Sequence, residues 1–518
     1  MKKKKHRVVF LVILILLFGF FSAQNLYKKH NNYEDLPDLL VFESSFYNTL
    51  KGDFLYNFRG GDVCHLGIHF APMLLIYIPF YALYQNVYTL FLVQGLLVAI
   101  GALGIYFLAG RLLKNDEAAF LLSCAFLMNP VVLGGQLWSI HEEPLAVPFL
   151  TFALYAWVKR RWTVFWLLMA GALLCKETIA LMTAFLGVAL AVRYRRFPET
   201  RLHAVLLFVI SVSWFLISTK LLMPLFSPLS LSDLQMSARY DNKIGHSLSE
   251  IFLNFFRNPM IFLKTIFQRP KLIYLFNLFL PFAFICFFSP ALLLPVLPVI
   301  LMNLLSVKYK WHATLLHQYT IPAAPVIFFA TMDGMRRMRT WYYYRSRKSA
   351  HKIMFQNKKH FLIAFCILVF IAGVLGCFTS GLPEWIFYNR DPRISYLPLS
   401  STSQSRNAAK EALALIPPDA AVSSSHLLAN HLAKRKIIYY NSDYEIPGLP
   451  IEYYVIIKTG PKGDQPEEFS EKTIQYLRDH YNAIFQKDRI IILKSKKPPV
   501  SLDEFRKNRR GKKLPGAY

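Results

Sequence analysis

The residues in this sequence whose types and spacing suit chemistry are few, and they sit at the ends of apolar stretches. The segment DLLVFESSFYNTLKGDFLYNFRGGDVCHLGIHFAP carries Asp38, Glu43, Asp53, Asp62, His65 and His69. A second group is WSIHEEP, with His141, Glu142 and Glu143. Lys176 and Glu177 stand side by side inside an apolar stretch. A fourth group, KYKWHATLLHQYTIPAAP, holds Lys308, Lys310, His312, His317 and Tyr319, and Arg239 and Lys243 lie in a polar loop before it. Carboxylates can take a proton from an attacking hydroxyl. Lysine, arginine and histidine can neutralise a departing phosphate. Charged groups next to apolar runs are costly unless they are paired or face a wet cavity, which marks these positions for function. The bland alternatives are solvated loop acids, a structural Lys176–Glu177 ion pair, and basic and aromatic anchors at a membrane boundary. The His-Glu-Glu run lacks the HExxH spacing of a zinc protease. The acids permit a divalent cation, but no ligand spacing demands one.

The elements that must position these residues are apolar. Hydrophobic residues make up 54% of the 518-residue chain and charged ones 17%, below the quarter usual in a soluble domain. The apolar residues come in long runs, which excludes a soluble enzyme core, a disordered chain and a disulfide-stapled secreted domain. Lys and Arg number 59 against 31 Asp and Glu, a net charge of +28. The basic residues cluster beside the runs, at Lys2 to Arg7, Arg111 and Lys114, Lys159 to Arg161, Arg193 to Arg201 and Arg336 to Lys359. That is the positive-inside pattern of a membrane protein, not a nucleic-acid footprint. Cys124, Cys175, Cys286 and Cys366 fall in apolar runs, and the six cysteines show no paired spacing.

The expected architecture is an all-α polytopic membrane protein with about 11 transmembrane helices. The candidate spans are 8–23, 88–110, 118–132, 145–157, 162–174, 179–192, 202–217, 272–288, 291–305, 319–332 and 361–378. The first, after its basic stretch, is expected to be an uncleaved helix. The run 70–84, with Pro72 and Pro79, is expected to lie along the membrane surface, which keeps every basic cluster inside. This topology puts the N-terminus in the cytoplasm, the first loop (25–69) outside, and everything after Ser380 outside. Three parts result: a transmembrane domain over 1–380, an extracytoplasmic linker and small α/β domain over 381–494, and a basic tail over 495–518 expected to be disordered. The α/β part shows helical periodicity at 407–415, 426–432 and 469–480, and strand patterns at 421–424, 436–440, 453–458, 481–485 and 489–494. No P-loop, nucleophile elbow or dinucleotide fingerprint occurs in it.

Nucleoside triphosphates are not at hand outside the cytoplasmic membrane. The activated donors there are polyprenyl-linked sugars or phospholipid head groups. Transfer from a polyprenyl-phosphate sugar needs one base for the acceptor hydroxyl and cations near the phosphate, and one inverting displacement suffices. Asp38 is the candidate base, with Glu43 and Glu143 to orient sugar hydroxyls or a cation. His65, His69, His141, Glu142, Lys176, Glu177, Arg239, Lys308, Lys310, His317 and Tyr319 are candidates for substrate binding.

These blocks resemble the bacterial predicted membrane proteins with domain of unknown function 2079. Asp38, Leu39, Phe42 and Asn48 to Gly52 match a DLGIFxQ-type stretch, with Leu40 where that family often has Gly. His69, Phe70 and Pro72 match HFxP. Ile140 to Glu143 match an FHPE-type turn, with Glu142 in place of Pro. Lys176–Glu177 matches a KE pair, and His317 to Pro325 is similar to an HY-x-x-P segment with Gln318 inserted. The likeness runs from about Asn31 to Pro325 and, more weakly, through IPPDAAVSSSHLLANHLAKR. The layout also resembles the GT-C superfamily of lipid-phosphate-sugar glycosyltransferases. That resemblance implies a catalytic Asp in the first outer loop, here Asp38. It also implies a polyprenyl-phosphate sugar donor, an envelope glycan, lipid or protein acceptor, and a place in the bacterial inner membrane. A transporter or flippase and a non-catalytic envelope assembly protein are the rival expectations. The first would show inverted repeats and midplane charges, and no convincing repeat is present.

Overall fold

The computed structural model describes residues 2–34, 36, 38–57, 63–226, 240, 244–245, 247–307, 310–348, 358–383, 403–440, 451–457 and 471–497. Asp62, Arg239, Lys243, Lys308 and the expected disordered tail beyond 497 lie outside them. The chain divides into two compact units. One comprises Met1–Gln24, His69–Ile76 and Phe91–Arg393; the other comprises Asn25–Ile68, Tyr77–Leu90 and Ile394–Tyr518.

The first unit is helical. Among the described residues, five helices are long and apolar enough to cross a membrane: Lys5–Asn31, Val87–Leu113, Asp116–Leu137, Pro198–Phe226 and Lys359–Thr379. This corrects the expectation of about 11 spans. The runs expected to span at 145–157, 162–174 and 179–192 form helices Ala146–Val158, Trp162–Leu173 and Glu177–Arg193, of 13, 12 and 17 residues. At about 1.5 Å per residue they fall short of a hydrocarbon core roughly 30 Å thick. The runs 272–288 and 291–305 break up instead of spanning. The helix Arg269–Phe279 gives way to 3-10 turns at Leu280–Phe282, Ile285–Phe288 and Pro290–Leu293 before Val296–Leu305. Pro281 and Pro290 remove backbone donors there, and Ala283 and Phe284 take left-handed φ values of 48° and 57°. The run 319–332 becomes part of Ala323–Lys348, which is long but ends in a strongly basic stretch.

Apolar composition in this unit therefore records burial in protein as well as contact with lipid. A Gly134–Gly135 pair on the helix Pro130–Leu137 lets that helix approach the backbone of Leu315 so closely that a Cβ at Gly134 would collide with the Leu315 carbonyl. Here glycine is required by the close approach. Cys64 and the five other cysteines are all unpaired thiols.

The second unit contains the first loop and the α/β part. The helix Leu39–Leu50 is followed by a two-stranded ladder, β1 (Tyr56–Asn57) against β2 (Val63–Cys64), and then the short helix His65–Ile68. The expected small β-containing C-terminal domain is present. Its sheet has β3 (Val422–Ser424), β4 (Ile438–Tyr440), β5 (Tyr453–Ile457), β6 (Tyr481–Lys487) and β7 (Ile490–Ser495), in the order β4-β3-β5-β7-β6. β3 runs parallel to β4 and β5, while β5–β7 and β6–β7 are antiparallel. Val422, Val455, Ile490 and Ile492 alternate into its core against Leu428 and Leu432, as period-two burial requires. Tyr33 and Leu40 of the first loop belong to that same core.

Candidate functional site

In the helical unit the turn between Trp162–Leu173 and Glu177–Arg193 presents the KE pair. Lys176 occupies the N-cap position of the second helix in extended backbone, and Glu177 is its first residue. Lys176 Nζ donates to Glu143 Oε1 at 2.8 Å and to Glu142 Oε2 at 3.4 Å, and all three side chains are at most 5% exposed. Burial alone would lower the Lys176 pKa, but Glu142, Glu143 and Glu177 outweigh it and raise it, so the ammonium stays charged. Glu177 faces the other way. Its Oε1 meets His69 Nδ1 at 2.9 Å and its Oε2 accepts the Phe70 N–H at 3.1 Å. Burial pushes its pKa up, yet His69 and Lys176 bring the net shift below the ordinary value, and the helix N-terminus also favours the anion.

WSIHEEP is fixed by a residue the sequence reading missed. Gln94, buried in the helix Val87–Leu113, donates from Nε2 to Ser139 O at 2.9 Å and accepts the His141 N–H at 3.0 Å. A lone buried amide in an apolar run was the available signal. Burial, opposed by Glu142, lowers the His141 pKa to about 3, so its imidazole is neutral. His141, Glu142 and Glu143 offer ligand atoms all within 4.8 Å of one another, a cluster able to hold a divalent cation.

A cleft in the same unit is lined by Glu143, Lys176, Met182, Asn303, His312 and Tyr319. His312 Nδ1 pairs with Ser306 Oγ at 2.7 Å, and its ring meets Tyr319 edge-on at 4.3 Å. Asn303, also missed, donates to Tyr274 Oη at 2.9 Å and to Thr320 Oγ1 at 3.3 Å. His317 Nδ1 pairs with Thr314 Oγ1 at 2.7 Å and its ring lies 3.9 Å from Trp138. The unit thus gathers His69, Glu142, Glu143, Lys176 and Glu177 into one chain of contacts, and Tyr319 lines the cleft with two of them. Lys310 opens the 3-10 turn Lys310–Ala313.

Asp38, Glu43 and His65 belong to the other unit. Asp38 is partly exposed and sits just before the helix Leu39–Leu50 with φ 65° and ψ −5°. Leu39 N–H bonds back to Leu36 O at 3.2 Å, which makes Asp38 the left-handed corner of a turn. Glu43 is buried and accepts from Tyr81 Oη at 3.0 Å. His65 is also buried, with its ring 5.2 Å from Phe42.

Burial raises the Glu43 pKa to about 7 despite Lys434 and the Tyr81 bond, which pull it down. A carboxyl with a raised folded pKa stabilises the fold below its ordinary value of 4.5 and loses that contribution as the pH rises through about 7. The loss is on the order of 3 kcal/mol. Thermal unfolding of the wild type across this window should show a falling midpoint, and Glu43→Gln should flatten it. Equal slopes in both proteins would exclude Glu43 as the titrating group.

The five long apolar helices and the short ones between them define a multi-pass membrane protein with a small β-containing C-terminal domain. The chain belongs to the family of predicted membrane proteins DUF2079, whose sequence profile matches residues 36–491. Among curated proteins no sequence matches. Among solved structures it is similar to ArnT from Cupriavidus metallidurans bound to undecaprenyl phosphate. Identity is 13%, coverage is 94% of this chain and 97% of that one, and the TM-score is 0.51. ArnT from the same organism in the apo state matches at 12% identity with the same coverage and a TM-score of 0.48. The 0.51 match shows that the chain is related in fold to ArnT.

Proposed function

We propose that this protein is an integral membrane glycosyltransferase that moves a sugar from a polyprenyl-phosphate donor to an envelope acceptor on the extracytoplasmic face. The observation that carries this reading is Lys176, a buried cation kept charged at the wall of a cleft that His312 and Tyr319 also line. The shared fold with a structure that holds undecaprenyl phosphate supports it.

In this reading Asp38 takes the proton from the acceptor hydroxyl while that oxygen attacks the anomeric carbon. The bond to the lipid phosphate breaks, and the phosphate leaves with the electron pair. Lys176 meets the charge that develops on it, in a site where water does not screen the attraction. Glu143 orients sugar hydroxyls or a divalent cation, and Glu43 supports the helix that follows Asp38. His65, His69, His141, Glu142, Glu177, Arg239, Lys308, Lys310, His317 and Tyr319 complete the proposed binding set.

The orientation belongs to the same proposal, in the bacterial inner membrane with the N-terminus in the cytoplasm. Arg7 pairs with Glu117 at 3.0 Å and Lys359 pairs with the same Glu117 at 2.9 Å. The starts of three long helices thus share one basic face, and Lys359–Thr379 leads the chain away from the face that holds the N-terminal lysines. Single cysteines at the exposed positions Lys159 and Gln404 are expected to label from the inside and the outside, respectively. Outer labelling at Lys159 or inner labelling at Gln404 overturns the orientation. The function is tested by reconstituting the purified protein in liposomes with a panel of polyprenyl-phosphate sugars and envelope acceptors. Sugar transfer from one donor is expected, and no transfer across donors and acceptors sinks the reading.

A further inference from the structure

In one stretch of the C-terminal domain, Asn430 to Lys436 (NHLAKRK), Asn430, His431 and Lys436 turn to the first loop of their own unit, while Arg435 bonds back to its own domain. Asn430 is buried. Its Oδ1 accepts the Leu40 N–H at 3.0 Å, and its Nδ2 donates to Leu36 O at 3.2 Å. Those two backbone groups lie on either side of Asp38. Leu36 O is also the acceptor that closes the turn on Leu39 N–H, so one planar amide grips both ends of the left-handed corner.

His431 and Lys436 also reach the first loop, and Lys434 reaches a later segment of the unit. The His431 ring stacks on His30 with centroids 4.0 Å apart and lies 4.3 Å from Tyr33. Lys434 Nζ donates to Gln85 O, and Lys436 Nζ stands 3.6 Å from Asp53 Oδ2. Contacts of one seven-residue stretch therefore reach residues 30, 33, 36, 40, 53 and 85.

Asparagine is suited to its position because its amide offers an acceptor and donors in one rigid plane. Alanine offers neither. Aspartate keeps the acceptor for Leu40 but turns a second oxygen on the Leu36 carbonyl. A residue that merely satisfied buried backbone could do so anywhere along the loop. This one does so at the peptide groups next beyond the two that flank Asp38, which bracket the turn on both sides.

We propose that Asn430 is a positioning residue: it holds the left-handed turn that aims Asp38, and the stretch from Asn430 to Lys436 makes the C-terminal domain a splint for the first loop. The catalytic consequence rests on the reading of Asp38 as the base; the splint itself does not.

The test uses the full-length protein in detergent micelles, with hydrogen–deuterium exchange and transfer kinetics measured on the same samples. In Asn430→Ala the Leu40 amide is expected to exchange about tenfold faster or more, while the amides of β3 keep their protection. Turnover is expected to fall about 10- to 100-fold with the donor KM within twofold. Asn430→Asp should fall between wild type and alanine on both readouts, and it serves as the test if the alanine variant does not fold. Unchanged exchange at Leu40 overturns the proposal, and so does unchanged turnover in a variant whose Leu40 amide has been released. If the wild type transfers no sugar and the variant still exchanges faster, the splint stands and the base assignment falls.

Discussion

Asp38→Asn is expected to lower the turnover of sugar transfer by roughly 10²- to 10⁴-fold, the usual contribution of a general base, with the donor KM and the thermal midpoint close to wild type. The substitution is unusually clean at this position. Asp38 has φ 65°, a region in which asparagine is among the best tolerated residues other than glycine. The amide therefore keeps the turn, the Leu39–Leu36 bond and the Asn430 clamp, and it removes only the charge that accepts the proton. Asp38→Ala would confuse the result, because a left-handed alanine adds strain of about 1–2 kcal/mol. Full turnover in Asp38→Asn would assign the base elsewhere and leave the turn as a structural feature only.

Lys176→Met is expected to be the most destabilising single change in the site, by about 3–5 kcal/mol. Methionine fills similar space but leaves Glu142 and Glu143 buried, at 2% and 5% side-chain exposure, without the cation that both contact. Two predictions separate this account from a simple packing defect. Lys176→Met combined with Glu143→Gln should recover part of the lost stability, since it removes one of the unpaired charges. Added manganese should also recover part of it, because His141, Glu142 and Glu143 can gather around a divalent ion. Thermal unfolding in detergent with and without the metal measures both. A Lys176→Met protein as stable as wild type in metal-free buffer would show that the pair of carboxylates does not depend on Lys176.

The site was legible in the sequence where a charge interrupts an apolar run. Lys176–Glu177 and His141 to Glu143 stand out because burying them unpaired is so costly that pairing is the natural expectation. Their partners were only partly legible. Glu177 turns to His69, a residue 108 positions away, and Gln94 holds WSIHEEP from 45 and 47 positions away. A single Gln or Asn in a helix costs little enough to pass as tolerated, so the lone amide of Gln94 was a weak signal, and Asn303 and Asn430 stood out no more. The helix count failed for a related reason. Ala146–Val158 is almost entirely buried, while Pro198–Phe226 is mostly exposed, and yet both are apolar. Protein interior and lipid select the same residue types, so composition identified both and only length separates them. The strands of the C-terminal domain were easier, because period-two patterns between polar turns are a local property.

Leu40 and Asn430 bond across 390 residues of chain. A ribosome adding roughly 5–20 residues per second needs about 20–80 s to supply the second partner after the first. For that interval the first loop exists without its splint, and the turn at Asp38 is closed only by its own Leu39–Leu36 bond. The consequence concerns order in time: the loop that carries the proposed base gains its bonds to Asn430 only after residue 430 has been made. Premature termination anywhere before Asn430 then leaves the turn at Asp38 without the two bonds that Asn430 supplies.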